Sequence, residues 1–262
     1  MKLFTAGLET RTLTQVFERI QPRYVAFDAA YAQSLSVPTF DWCKELCLLC
    51  TITNLDDDTK RKGKITRFIT ALKNTPEITQ VVLPETLRID DDSYTKIAPL
   101  LTGKQVFYPA SFGKDVVLKG KKSVVKDFMS DNPHIRTQRR KMHLTSAFGT
   151  DFTDLPLYSA DSSLWRRGAE YGAVLDYADT LHLTRICNGD ERNKKELIRA
   201  VEHKILAHGF SASLIYESNG LEIASWNMYC QTLLANDLYV KKLGQEYFYT
   251  DKDRKRIINE FR

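Results

Sequence analysis

The sequence predicts an α/β fold, a (β/α)8 barrel of the TIM type, irregular in places and followed by C-terminal helices. Three observations predict it. Short apolar runs recur along the chain, segments of helical period fall between them, and eight such runs in 262 residues suit a barrel with few insertions. The runs are 3–6 (LFTA), 24–27 (YVAF), 47–53 (CLLCTIT), 80–83 (QVVL), 105–108 (QVFY), 142–147 (MHLTSA), 157–160 (LYSA) and 182–187 (HLTRIC). The helical patterns are 12–20, 60–72, 93–100, 123–129 and 192–208. Beyond them, SLIYESNGLEIASWNMYCQTLLAND mixes a hairpin-like or turn signal with further helix, and TDKDRKRIINEF reads as a terminal amphipathic helix capped by Thr250 or Asp251. An open doubly wound sheet is the alternative, but no G-x-G-x-x-G or phosphate-binding loop follows any run. The chain reads as one domain over 1–262, its helical portion starting at about 190.

Polar or small residues end several runs: Asp28, Glu85, Gly149, Asp161 and Asn188. In a parallel barrel these positions emerge on one rim, where side chains from separate strands converge. Any loop also begins with such residues, so convergence in space is what would make them a site.

Composition narrows the setting. The chain is 43% apolar and 27% charged, as in ordinary globular proteins, with no low-complexity tract. No apolar run approaches the roughly 20 residues of a membrane span, and the N-terminus lacks a secretory apolar core. Five cysteines, an odd count without framework spacing, favour a reducing cytoplasm. The net charge of +5 is modest but uneven. Lys114, Lys119, Lys121, Lys122, Lys126, Arg136, Arg139, Arg140 and Lys141 crowd one segment against Asp115, Asp127 and Asp131. Such a segment is either a solvated face or a surface that neutralises phosphates.

The cysteines of CKELCLLC (Cys43, Cys47, Cys50) have the C-x3-C-x2-C spacing of radical S-adenosylmethionine enzymes, which hold a four-iron cluster with it. Glycine, proline and asparagine are missing between them, whereas a ligand loop must be irregular. On a helix the three positions would share one apolar face, so packed thiols explain the spacing without metal. An aromatic residue before the third cysteine and a glycine-rich cofactor motif are also absent.

The most informative stretch is HLTSAFGTDFTDLPLYSADSSLWRRGAEYG, residues 143–172. Two strand-like runs there end in small or polar residues, which lets a planar ligand approach the backbone, and Asp161 stands beside that floor. Asp161 reads either as a carboxylate nucleophile or as the N-cap of a helix from Ser162. His143 reads as a satisfied core histidine or a ligand, and Trp165 and Trp226 as packing.

This stretch resembles the tRNA-guanine transglycosylase superfamily, particularly shorter phage and bacterial members that place 7-deazaguanines in DNA. The resemblance lies in His143-Leu144, Phe148-Gly149, Ser159-Ala160-Asp161-Ser162-Ser163-Leu164-Trp165 and Gly168-Ala169-Glu170-Tyr171-Gly172. Asp28-Ala29-Ala30-Tyr31 is a weaker counterpart of an upstream D-S-G-G-F segment. The zinc-binding element of the tRNA enzymes is absent, as is their glycine loop for the base, where this chain reads HIRTQRRKMHLT.

The resemblance implies a base-exchange enzyme acting on DNA, or alternatively tRNA, that replaces guanine with a preQ0-like 7-deazaguanine. Asp161 would be the nucleophile, and Asp28 the general acid and base with Glu85 in reserve. Tyr31, Phe107, Tyr108, His143, Phe148, Gly149 and Ser162 would form the base pocket. Lys119, Lys121, Lys122, Arg136, Arg139, Arg140 and Lys141 would hold the nucleic-acid backbone. No metal or other cofactor is expected; a homodimer or a partner subunit stays open. A catalytically silent nucleic-acid-binding protein of the same fold is the second reading.

Overall fold

The computed structural model describes residues 1–7, 13–31, 37–52, 56–84, 95–110, 142–145, 157–178, 181–189 and 191–242. Seven parallel strands close into a barrel: β1 (Lys2–Ala6), β2 (Tyr24–Asp28), β3 (Glu45–Leu49), β4 (Ile78–Val82), β5 (Gln105–Ala110), β6 (Met142–Leu144) and β7 (Ser159–Ser162). Closure comes from β7 against β1, with Lys2 opposite Ser159 and Phe4 opposite Asp161. Ser159 is thus paired on both sides, to His143 of β6 and Lys2 of β1, and Asp161 is paired to Phe4 of β1.

The eighth run is not a barrel strand. It forms β9 (Leu183–Cys187), paired antiparallel with β8 (Val174–Tyr177) in a separate two-stranded sheet. The reason is visible in its burial. Thr184 and Arg185 are exposed and only Cys187 is buried, whereas a parallel barrel strand must bury side chains both inside the barrel and under the surrounding helices.

Alternation along the strands separates two environments. Phe4, Ala26, Cys47, Phe107 and Tyr158 fill the barrel interior. Val25, Phe27, Leu46, Leu48 and Val81 face outward, where α1 (Thr14–Ile20) and α2 (Asp58–Asn74) cover them with Phe17, Phe68 and Leu72. The α2 helix starts where Asp57 accepts the Lys60 amide at 2.8 Å, satisfying one of the free N–H groups of its first turn. At the N-terminal end of the barrel the Lys2 ammonium is buried against Glu45, 2.6 and 2.8 Å from its carboxylate oxygens. The same ammonium lies over the Tyr24 and Tyr158 rings. Burial lowers the affinity of Lys2 for its proton, but the Glu45 charge and hydrogen bond outweigh it, and the lysine is held above its ordinary value.

The region after the barrel is helical: α3 (Leu164–Glu170) precedes β8, and α4 (Lys194–Arg199), α5 (Glu202–Ala207), α6 (Ala212–Tyr216) and α7 (Gly220–Lys242) follow β9. The expected helix over 192–208 is therefore two short ones, and the expected turn signal near 213–237 belongs mostly to one long helix. Trp226, Cys230, Leu234 and Leu238 of α7 pack against β1, β6, β7 and β8, and Ala224 and Met228 against the α1 side. Polar residues stitch this contact: Asn227 accepts the Leu175 amide at 2.8 Å and donates to Ala173 O at 2.9 Å, and the Trp226 indole donates to Leu175 O at 2.6 Å. Among the described residues no helix is long and apolar enough to cross a membrane. The expected helices at 123–129 and at the tail lie outside the described residues.

Candidate active site

Where the parallel strands end, β1, β2, β3 and β7 surround a cavity of about 300 Å3. Ligand pockets run upward from about this size, and the C-terminal rim of a parallel barrel is where catalytic side chains converge. Asp28, the last residue of β2, and Asp161, in β7, both line it. More than a hundred residues of chain separate them, and barrel closure brings them to one cavity.

Asp161 is not a helix cap. It lies in a strand, it is 2% exposed, and α3 begins at Leu164, whose amide donates instead to Ser162 Oγ at 3.2 Å. A buried chain of polar groups ends on the Asp161 carboxylate. Gln80 Nε2 donates to Ser159 Oγ at 3.0 Å, Ser159 Oγ lies 2.8 Å from His143 Nδ1, and His143 Nε2 lies 3.0 Å from Asp161 Oδ1. Its direction follows from what each group can do. A carboxylate only accepts, so Nε2 donates to Asp161, while the Ser159 hydroxyl, which accepts from Gln80, holds the ring from behind at Nδ1. The three residues under Asp161 come from β4, β6 and β7, and each is fully buried.

The Ser159 hydroxyl bridges Gln80 and His143 in this chain. Ser159→Ala is expected to cost about 1–3 kcal/mol, because it strands the Gln80 N–H and His143 Nδ1 in the interior. Urea denaturation reads that cost, and the imidazole 15N shifts should move as Nδ1 loses its partner.

Asp28 has a partly structural task. Its Oδ1 accepts the Ala30 amide at 2.9 Å and the Thr51 amide at 3.1 Å, which ties the turn after β2 to the chain leaving β3. This turn-capping task coexists with a place on the cavity wall. Tyr31 stands at the mouth, 57% exposed, with Lys64 Nζ 5.4 Å from its ring centroid.

Other expected site residues fall elsewhere. Ser162 lies one strand position past Asp161 and so faces away from the barrel interior; its hydroxyl serves Leu164 and its carbonyl accepts from Gln231 at 3.0 Å. His143 lies beneath Asp161 rather than on the cavity wall, so it holds the carboxylate instead of a base. Phe107 points into the barrel interior, and Tyr108 lies on β5. Glu85, Phe148, Gly149, Lys119, Lys121, Lys122, Arg136, Arg139, Arg140 and Lys141 lie outside the described residues.

The three clustered cysteines do not converge. They lie before, on and just after β3 rather than on a helix, and side chains along a strand alternate between faces. Cys47 points into the barrel, while Cys50 packs outside it with its thiol 3.6 Å from Lys64 O. Cys43 lies before β3, its thiol 3.3 Å from Glu45 O. Burial pushes the Cys43 thiol up to about 11 and those of Cys47 and Cys50 higher, against the thiolate form that binds iron.

Sequence reading missed Arg166 and Arg167, which carry positive charge to a cavity floored by carboxylates, and Glu170, whose carboxylate lies 2.8 Å from Arg166 Nε. A signal existed: an Arg-Arg pair one helical turn after the aspartate strand. Gln80 and Ser159 carried none, since a polar residue inside a strand reads as a strand end.

No known protein-family model matches the chain, and a search of curated proteins finds no match to its sequence.

Proposed function

We propose that the protein is a base-exchange transglycosylase acting on nucleic acid, with DNA preferred to tRNA, that replaces a guanine by a 7-deazaguanine. The observation that carries this reading is the meeting of Asp28 and Asp161 at one cavity on the C-terminal rim of the barrel. We read the seven strands as a variant of the (β/α)8 barrel in which α7 covers the β1 and β7 side. The five free thiols suit a reducing cytoplasm.

The chemistry follows from the two carboxylates. Breaking an N-glycosidic bond passes through an oxocarbenium-like state whose positive charge a facing carboxylate stabilises. Asp161 attacks C1′ as the C1′–N9 bond breaks, and the bond pair leaves with guanine. Protonated Asp28 supplies the proton that the departing base needs. The incoming 7-deazaguanine returns a proton to Asp28 as its nitrogen bonds C1′ and the Asp161–C1′ ester opens. The His143 N–H holds one Asp161 oxygen in place throughout, as a positioning residue. The target nucleotide must leave its stack to reach the cavity.

The test is incubation with DNA or tRNA and a labelled preQ0-like base, followed by digestion to nucleosides. Incorporation into a nucleoside is expected, and none with either polymer would contradict the reading. Asp28→Asn should slow exchange by about a hundred- to ten-thousandfold, the range of a lost general acid. Its amide oxygen can still accept from Ala30 and Thr51, so the urea midpoint should barely move.

A further inference from the structure

We propose that the groove between α3 and the β8–β9 hairpin binds the single-stranded nucleic acid adjoining the nucleotide in the cavity. The inference rests on the nucleic-acid reading above and adds where the polymer runs. The groove encloses about 780 Å3, more than the cavity itself, and its wall includes Arg167, Tyr171, Leu175, Leu183, Arg185 and Asn188. No carboxylate lines it among the described residues. Two guanidiniums beside apolar and aromatic surface are the chemistry of a single strand, which offers phosphates and unstacked bases together. A duplex keeps its bases stacked and would need only the charges.

Three features favour this occupant. Tyr171 is 77% exposed, the most open large apolar side chain among the described residues, and presents a ring on which a base can stack. Arg167 lines both groove and cavity, so a strand leaving the cavity passes its guanidinium on the way to Tyr171. The platform is also built rigidly. Gly189 N donates to Tyr171 O at 3.0 Å, clamping the hairpin to the end of α3. A Cβ on Gly189 would come 2.6 Å from Tyr171 O, and one on Gly172, whose φ is +64°, would come 2.8 Å from Gly189 Cα. Glycine at both positions is what lets the two backbones touch, and a surface fixed before binding loses less entropy on binding.

The experiment is fluorescence anisotropy with a labelled single-stranded oligonucleotide and its duplex over a salt series. Tyr171→Ala should weaken single-strand binding by about five- to a hundredfold, the range of one lost stacking contact, while Tyr171→Phe keeps it. Arg185→Ala should weaken it too and flatten the log–log salt slope by about 0.7. Both side chains are exposed, so the variants should fold, which circular dichroism checks. Single-strand binding unchanged in Tyr171→Ala would overturn the proposal, as would equal losses for strand and duplex or equal competition by polyglutamate. Base exchange is scored separately on the same preparations. Tyr171-dependent binding without exchange would sink the enzymatic reading and leave the groove standing; exchange with Tyr171-independent binding would do the reverse.

Discussion

Asp161→Asn is expected to abolish base exchange, by about ten-thousandfold or more, and to leave the fold as it is. The size follows from the proposed role: an amide cannot form the covalent intermediate, and losing a nucleophile costs several orders of magnitude. The fold survives because asparagine has the same shape and its Oδ1 can accept the His143 N–H that Asp161 Oδ1 now accepts at 3.0 Å. Asp161→Ala differs. It leaves that buried N–H without an acceptor and should lower stability by about 1–3 kcal/mol as well. The pair of variants therefore separates chemistry from packing: both inactive, only one less stable in urea. An active Asp161→Asn protein would remove the proposed nucleophile.

Trp165→Ala should carry the largest stability loss, about 3–5 kcal/mol, the cost of emptying a buried indole site. Trp165 is fully buried, sits edge-on to Phe17 at 5.6 Å, and donates its indole N–H to Ala6 O at 2.7 Å. It also fixes the cavity. Ala6 and Gly7 form part of the wall, and a Cβ on Gly7, whose φ is +115°, would come 3.0 Å from the Trp165 ring. The end of β1 is therefore shaped against the indole, and losing it should lower exchange along with the urea midpoint. Trp165→Phe keeps most of the volume but strands the Ala6 carbonyl, so a smaller loss of about 1–3 kcal/mol is expected. A midpoint unchanged in Trp165→Ala would show that this junction is not the anchor of the rim.

The barrel was legible where strands are mostly apolar. Runs 3–6, 24–27, 80–83 and 105–108 each overlap a barrel strand closely, because consecutive apolar residues there serve in turn the barrel interior and the face under the helices. Legibility failed where the interior is polar. β3 begins at Glu45, half-buried and paired with Lys2 from another strand, and β7 is S-A-D-S, whose Ser159 and Asp161 are satisfied by Gln80 and His143. A partner 16 to 79 residues away leaves no local trace. α7 was blurred for the opposite reason. It is apolar on several faces because it meets β1, β8, α1 and α3 at once, so no single stripe marks it. The β8–β9 hairpin was half seen, since the run at 182–187 is strand-like but nothing in it states which strand it pairs with. Of the site, Asp28 and Asp161 were readable as polar ends of apolar runs. Arg166, Arg167 and the chain beneath Asp161 needed the closed barrel to be seen.

Covalent bonding of Asp161 to the sugar is tested by acid quenching of the protein mixed with a guanine-containing oligonucleotide, without incoming base, followed by intact mass measurement and peptide mapping. An oligonucleotide adduct lacking one guanine is expected on the peptide that carries Asp161, and is expected to be lost in Asp161→Asn. An adduct on another residue, or steady exchange with no adduct at any quench time, would contradict it.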